Sequence, residues 1–169
     1  MSRSLAALFA ASLVFQGATS SAAQAAATAT DVPRYEGLSG FSRKVTATAE
    51  AQAYFDQGLS FLYAFNHDEA IRSFQRASEL DPTSAMPLWG LALANGPHIN
   101  NMAVPPEREK AAFDALVKAR SLMAGATPVE KTLIEALTAR YADPQPKDRA
   151  PLNQAYATAM RAAWSVPKR

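Results

Sequence analysis

An all-α domain of about six helices, paired as antiparallel hairpins, is what this sequence predicts, on three observations. From Thr48 onward apolar residues recur at the helical period, and no alternating strand pattern occurs anywhere. Prolines and N-capping residues divide the same region into stretches of helix length. With 169 residues, about half of them apolar, the chain can bury one real core, and a single domain is expected.

Two segments precede the helices. Arg3, an apolar run over residues 5–15 and a small-residue stretch over 17–27 have the order of a signal peptide, expected to span 1–25 with cleavage after Ala25 and Ala22 as a competing site. The apolar run is far shorter than the roughly 20 residues that cross a bilayer, so the mature chain is expected to be exported, to the bacterial periplasm or beyond, with no membrane span. Residues 26–47 are rich in Ala, Thr, Ser and Gly without a period, and read as a flexible lead-in.

The helical domain is expected over 48–166. Its first helix runs from about Ala49 to Phe65, with Thr48 as N-cap. The second opens at Asn66, with Glu69 placed to complete a capping box, and ends near Leu80 because Asp81 and Pro82 form a turn. A third covers about 85–94 and is followed by a loop over 95–104 that holds Gly96, Pro97 and Asn100. Pro105 and Pro106 open a fourth helix, expected to end at Gly125 in a left-handed cap. Thr127, Pro128 and Glu130 combine N-cap, first-turn proline and capping box, the strongest helix start in the chain. The sixth lies between about Asp148 and Trp164, with Leu152, Tyr156, Met160 and Trp164 on one apolar stripe.

Helices of this length joined by short turns call for a search for repeats near about 34 residues. Tyr54, Gly58, Phe61, Ala70, Phe74, Ala77 and Pro82 stand at the spacings of one such unit over 51–84. Small Gly58 and Ala70 let two antiparallel helices approach, the aromatic residues fill the space around that contact, and Pro82 ends the unit. This pattern resembles the tetratricopeptide repeat, so the resemblance implies a short α-solenoid. There are departures: Gln57 stands where leucine is usual, Phe65 replaces the turn glycine, and His67 replaces an aromatic residue. A second repeat over 85–124 is interrupted by an insertion of about eight residues, and a degenerate third hairpin covers 127–164. The strings YAFNHDEAIRSFQRA and WGLALANGPHIN further resemble the N-terminal part of a longer bacterial family of exported tetratricopeptide proteins, whose function the resemblance does not supply.

In tetratricopeptide proteins the first helix of each hairpin carries the inner, concave surface. Carried over by position, that surface is Gln52, Phe55, Leu59, Leu62 and Tyr63, which implies a scaffold that binds a protein or peptide in an apolar groove. The competing reading is that neighbouring chain, including residues 38–45, covers it. Basic residues exceed acidic ones by two and are scattered, so nucleic acid is not an expected partner. The absence of cysteine removes disulfides, thiolate metal sites and a cysteine nucleophile. No nucleophile and base stand at meaningful spacing, and no phosphate loop or nucleotide fingerprint occurs, so neither an enzyme nor a cofactor is expected. Met86, Trp89, Met123 and Met160 read as core. The alternative function is a metal or cofactor site that uses His67, His98 and the 95–104 loop, with Asp68 or Glu69 beside them. Two histidines without thiols supply only part of such a site.

Overall fold

The computed structural model describes residues 32–165, apart from residue 39. The expected signal peptide lies outside the described residues. Within them the fold is all-α, with six α-helices and no strand: α1 (Ala49–Tyr63), α2 (His67–Leu80), α3 (Met86–Asn95), α4 (Pro106–Ser121), α5 (Pro128–Thr138) and α6 (Ala150–Trp164). No helix among the described residues is long and apolar enough to cross a membrane.

The caps follow the sequence with two corrections. The Thr48 side chain accepts from the Ala51 amide, and Thr127 and Glu130 form a complete capping box. Asn66 caps α2 by accepting from the Glu69 amide, but Glu69 does not reach back. The Asn66 amide already donates to the Phe61 carbonyl at 2.9 Å across the tight turn, and the Glu69 carboxylate pairs with Arg72 instead. Gly125 is not a left-handed cap either. Helix α4 stops at Ser121, and the chain tightens into a 3-10 turn over Met123–Gly125, closed by the Ala126 amide on the Met123 carbonyl.

Consecutive helices pack on one another, α1 on α2, α2 on α3, α3 on α4 and α5 on α6, while α5 also touches α3 and α4. The centre of the first three helices is Phe74, which has no solvent exposure. Gly58 of α1 and Gly90 of α3 both face its ring: a Cβ added at either would lie 2.6 Å or 2.5 Å from the nearest ring carbon. Phe55 meets the same ring at 5.5 Å between centroids. Two glycines from different helices therefore make the slot that one aromatic side chain fills. Met86 and Trp89 lie in the core, as expected.

The described part of the lead-in is not loose chain. It crosses α1 as an extended strap held by polar side chains of that helix. Gln57, where the repeat usually has leucine, is buried and donates to the Pro33 carbonyl at 3.0 Å and to Ser73 Oγ at 3.1 Å, while its Oε1 accepts from the Tyr35 amide at 3.0 Å. Asp56 accepts from the Arg43 amide and the Ser42 hydroxyl. Tyr54 donates to the Val32 carbonyl at 2.9 Å, and Tyr35 meets Phe61 edge-on at 5.2 Å. The departure at Gln57 thus has a structural reason.

Glu130 fastens the strap's far end. Its carboxylate accepts from the amide and hydroxyl of Thr46 and from the Thr127 amide. Burial alone would push this carboxyl up, but the hydrogen bonds from Thr127 and Thr46 together hold it below the ordinary glutamate value. A depressed carboxyl stabilises the fold above the unfolded value near about 4.3, and that contribution is lost as pH falls through the folded value. Glu130→Gln would turn an amide NH2 towards groups that are themselves donors. Urea melts at pH 7 are expected to show a loss of about 1–3 kcal/mol, and the gap from the parent should close as the pH is taken below about 4.

Candidate functional site

The five residues expected on an open concave face do not form one. Phe55, Leu59 and Leu62 are buried in the common core with residues of α2 and α3. Gln52 is spent on the strap, accepting from the Val45 amide at 2.9 Å and donating to the Arg43 carbonyl at 2.9 Å. Of the five, Tyr63 alone is largely exposed, at 61%, and Gln52 is partly buried. A helix that is apolar on two faces has to be covered twice, and here the chain covers both. The signature residues Tyr54, Gly58, Ala70, Phe74 and Ala77 are buried, Phe61 is partly buried under the strap, and Pro82 is exposed in the turn after α2.

The two histidines, by contrast, are brought together. The loop after α3 is pinned at its root: the Tyr141 hydroxyl donates to the Ala92 carbonyl at 3.1 Å and crowds Gly96, and Arg140 donates to the Pro97 carbonyl at 3.0 Å. His98 and Asn101 then exchange two backbone hydrogen bonds of 3.0 Å each, which folds the loop back towards the start of α2. His67 and His98 end stacked, with ring centroids 4.0 Å apart and planes 21° apart. Phe65 flanks both, at 6.2 Å and 6.3 Å.

His67 Nδ1 donates to the Phe65 carbonyl at 3.1 Å, which fixes its tautomer. His98 Nδ1 is buried with no hydrogen-bond partner among the described residues. Burial lowers the His98 pKa, and the neighbouring His67 and Arg108 lower it further, so the His98 ring favours the neutral form.

The pair separates two concavities. On one side is a polar pocket of about 330 Å³, lined by Asn66, Asp68, Asn95 and Arg108. On the other is an apolar groove of about 260 Å³, lined by Leu62, Tyr63, Leu93 and Ile99. Phe65, His67 and His98 belong to both walls. The Arg108 guanidinium donates to the Ala94 carbonyl at 3.3 Å and lies 3.7 Å from Asp68, itself 77% exposed at the side chain.

The stacked arrangement does not suit one shared metal ion. With nitrogen–metal distances of about 2 Å and a tetrahedral angle, two imidazole centroids lie roughly 5 Å apart with their lone pairs converging. At 4.0 Å and 21° the lone pairs run side by side. Among the described residues, no group of three or more His, Cys, Asp or Glu side chains could hold a metal ion.

Phe65 is the strained residue of the site. Its φ is +60°, the left-handed region that a turn glycine would occupy without cost, and its side chain is 53% exposed. A bulky residue held there costs about 1–2 kcal/mol, and such strain concentrates where a side chain has a use. Phe65→Gly is therefore expected to raise the unfolding free energy by up to about 1 kcal/mol in denaturant melts, since little buried contact is lost in return. The sequence marked Phe65 as a departure but gave no reason to join it to His98 or Arg108.

Comparison of the chain with protein-family models, curated proteins and solved structures gave no match.

Proposed function

We propose that the chain is an exported protein-binding module of the tetratricopeptide type, and that its partner docks on the rim formed by the α1–α2 turn and the inserted loop rather than on the inner face of α1. The observation that carries this reading is the gathering of Tyr63, Phe65 and Ile99, which is 83% exposed, around one apolar groove. Large apolar side chains held together at a surface mark interaction sites, whereas single exposed ones do not. Two further features support it: the hydrogen bonds at the loop root fix the wall that carries Ile99, and Phe65 is held on the facing turn at a cost in backbone strain. The neighbour-on-neighbour order of α1 to α4 agrees with a helical repeat.

A photo-reactive amino acid placed at position 99 of the full chain, in the cells that make it, tests the reading. Discrete cross-linked products are expected from position 99, and none from position 117, where exposed Val117 of α4 serves as control. Equal labelling from both positions, or none from 99, would end the rim reading.

A further inference from the structure

The polar pocket and the apolar groove are two halves of one surface, because Phe65 and the stacked histidines are the ridge between them. On the polar side the one guanidinium lining the pocket is that of Arg108, held in place by the Ala94 carbonyl and only loosely balanced by Asp68. At 3.7 Å the Arg108–Asp68 contact is an ion pair without a hydrogen bond, and an exposed pair of this kind is easily displaced. Guanidinium groups take carboxylates through two parallel hydrogen bonds, a geometry that Asp68 does not supply. Asn66 and Asn95 add amide groups to the same pocket, and Glu69 is engaged by Arg72. Across the ridge the lining beyond Phe65 and the histidines is Leu62, Tyr63, Leu93, Pro97 and Ile99, with no charged residue.

We propose that this surface recognises an acidic side chain and a neighbouring apolar side chain of one extended partner segment, the carboxylate seated on Arg108 and the apolar group in the Tyr63–Ile99 groove. The inference rests on the rim reading above and adds the chemistry of the partner. Successive side chains of an extended segment point to opposite sides, so a segment lying along the ridge sends one into each concavity. A C-terminal carboxylate is the other source of the same group, and peptides blocked at both ends separate it from an acidic side chain.

The probes are short peptides blocked at both ends, carrying Glu-Leu, Gln-Leu or Glu-Ser at the centre of an alanine and glycine background. Binding to the full chain is followed by NMR through the His67 and His98 ring protons. The Glu-Leu peptide is expected to bind at least about fivefold tighter than either single change, a modest ratio for one charge-assisted contact or one apolar side chain. Arg108→Gln should erase the preference for Glu over Gln. Asp68→Asn should act in the opposite direction, raising affinity for the Glu peptides about threefold or more and leaving the Gln peptide unchanged, because the competing carboxylate is gone. Asp68 is exposed, so this second variant does not depend on a fold-critical contact.

Equal binding of Glu-Leu and Gln-Leu, no binding of any blocked peptide, or tighter binding of an unblocked peptide without an acidic side chain would each overturn the inference. Cross-links from position 99 that persist alongside such a result would keep the rim as a docking surface for a partner of other chemistry. Their absence would end both.

Discussion

Leu59→Asp is expected to unfold the domain. The side chain is fully buried in the core of α1, α2 and α3, so the substitution removes a complete leucine and leaves a carboxylate with no partner and no route to solvent. Uncompensated burial of charge is among the few single changes that cost more than about 4–5 kcal/mol, an amount comparable with the whole stability of many small domains. Circular dichroism at neutral pH should show loss of most helical signal. The matching change Ile99→Asp, on the exposed rim, should leave the melting temperature within about two degrees of the parent. A folded Leu59→Asp chain would mean that the α1 face opens more readily than its burial implies, and would return that face to consideration as a binding groove.

The second large effect is at Phe74. Truncation to alanine empties the slot between Gly58 and Gly90 and should cost about 3–5 kcal/mol in urea melts. Gly90→Ala alone should also destabilise, by about 1–3 kcal/mol, since its methyl would stand 2.5 Å from a ring that has no room to move. The two changes together should not add. Without the ring, the alanine fills part of the cavity and gains the helix propensity that glycine lacks, about 1 kcal/mol, so Gly90→Ala should become neutral or stabilising in the Phe74→Ala background. Simple additivity would show that the slot is not the contact that holds α1, α2 and α3 together.

Much of the fold was legible because helix starts and stops are local chemistry. Thr127, Pro128 and Glu130 announce α5 within a single turn, and Asp81 with Pro82 ends α2. The repeat spacing set Gly58 and Ala70 at the close approach with Phe74 beside them, but it gave no sign that the Phe74 ring sits between Gly58 and Gly90, because the third helix enters the contact at a register that only its packing sets. What the sequence could not supply was the covering of α1. Periodicity says that Phe55, Leu59 and Leu62 are apolar and share a face, and it is silent on whether chain or partner buries them. The strap that occupies the other face is fastened by Gln57, Asp56 and Gln52, polar residues whose meaning depends on carbonyls and amides far away in sequence. The candidate site was half legible. His67 and His98 stood out as the two histidines of a chain without thiols, but Arg108, ten residues beyond His98, carried no motif, and Phe65 looked like a lapse in the repeat.

The bond from Thr46 to Glu130 joins positions 84 residues apart, whereas the hairpins of α1 to α4 are built from neighbours in sequence. Closing a loop of that length costs about 4 kcal/mol of chain entropy before any contact across it is gained. Local helix pairs meet no such toll and form early in folding, so the two ends of this contact come together only after the helices between them are in place. The Thr46 end of the strap is therefore made long before the helix it is fastened to, and reaches Glu130 only after the helices between them have packed.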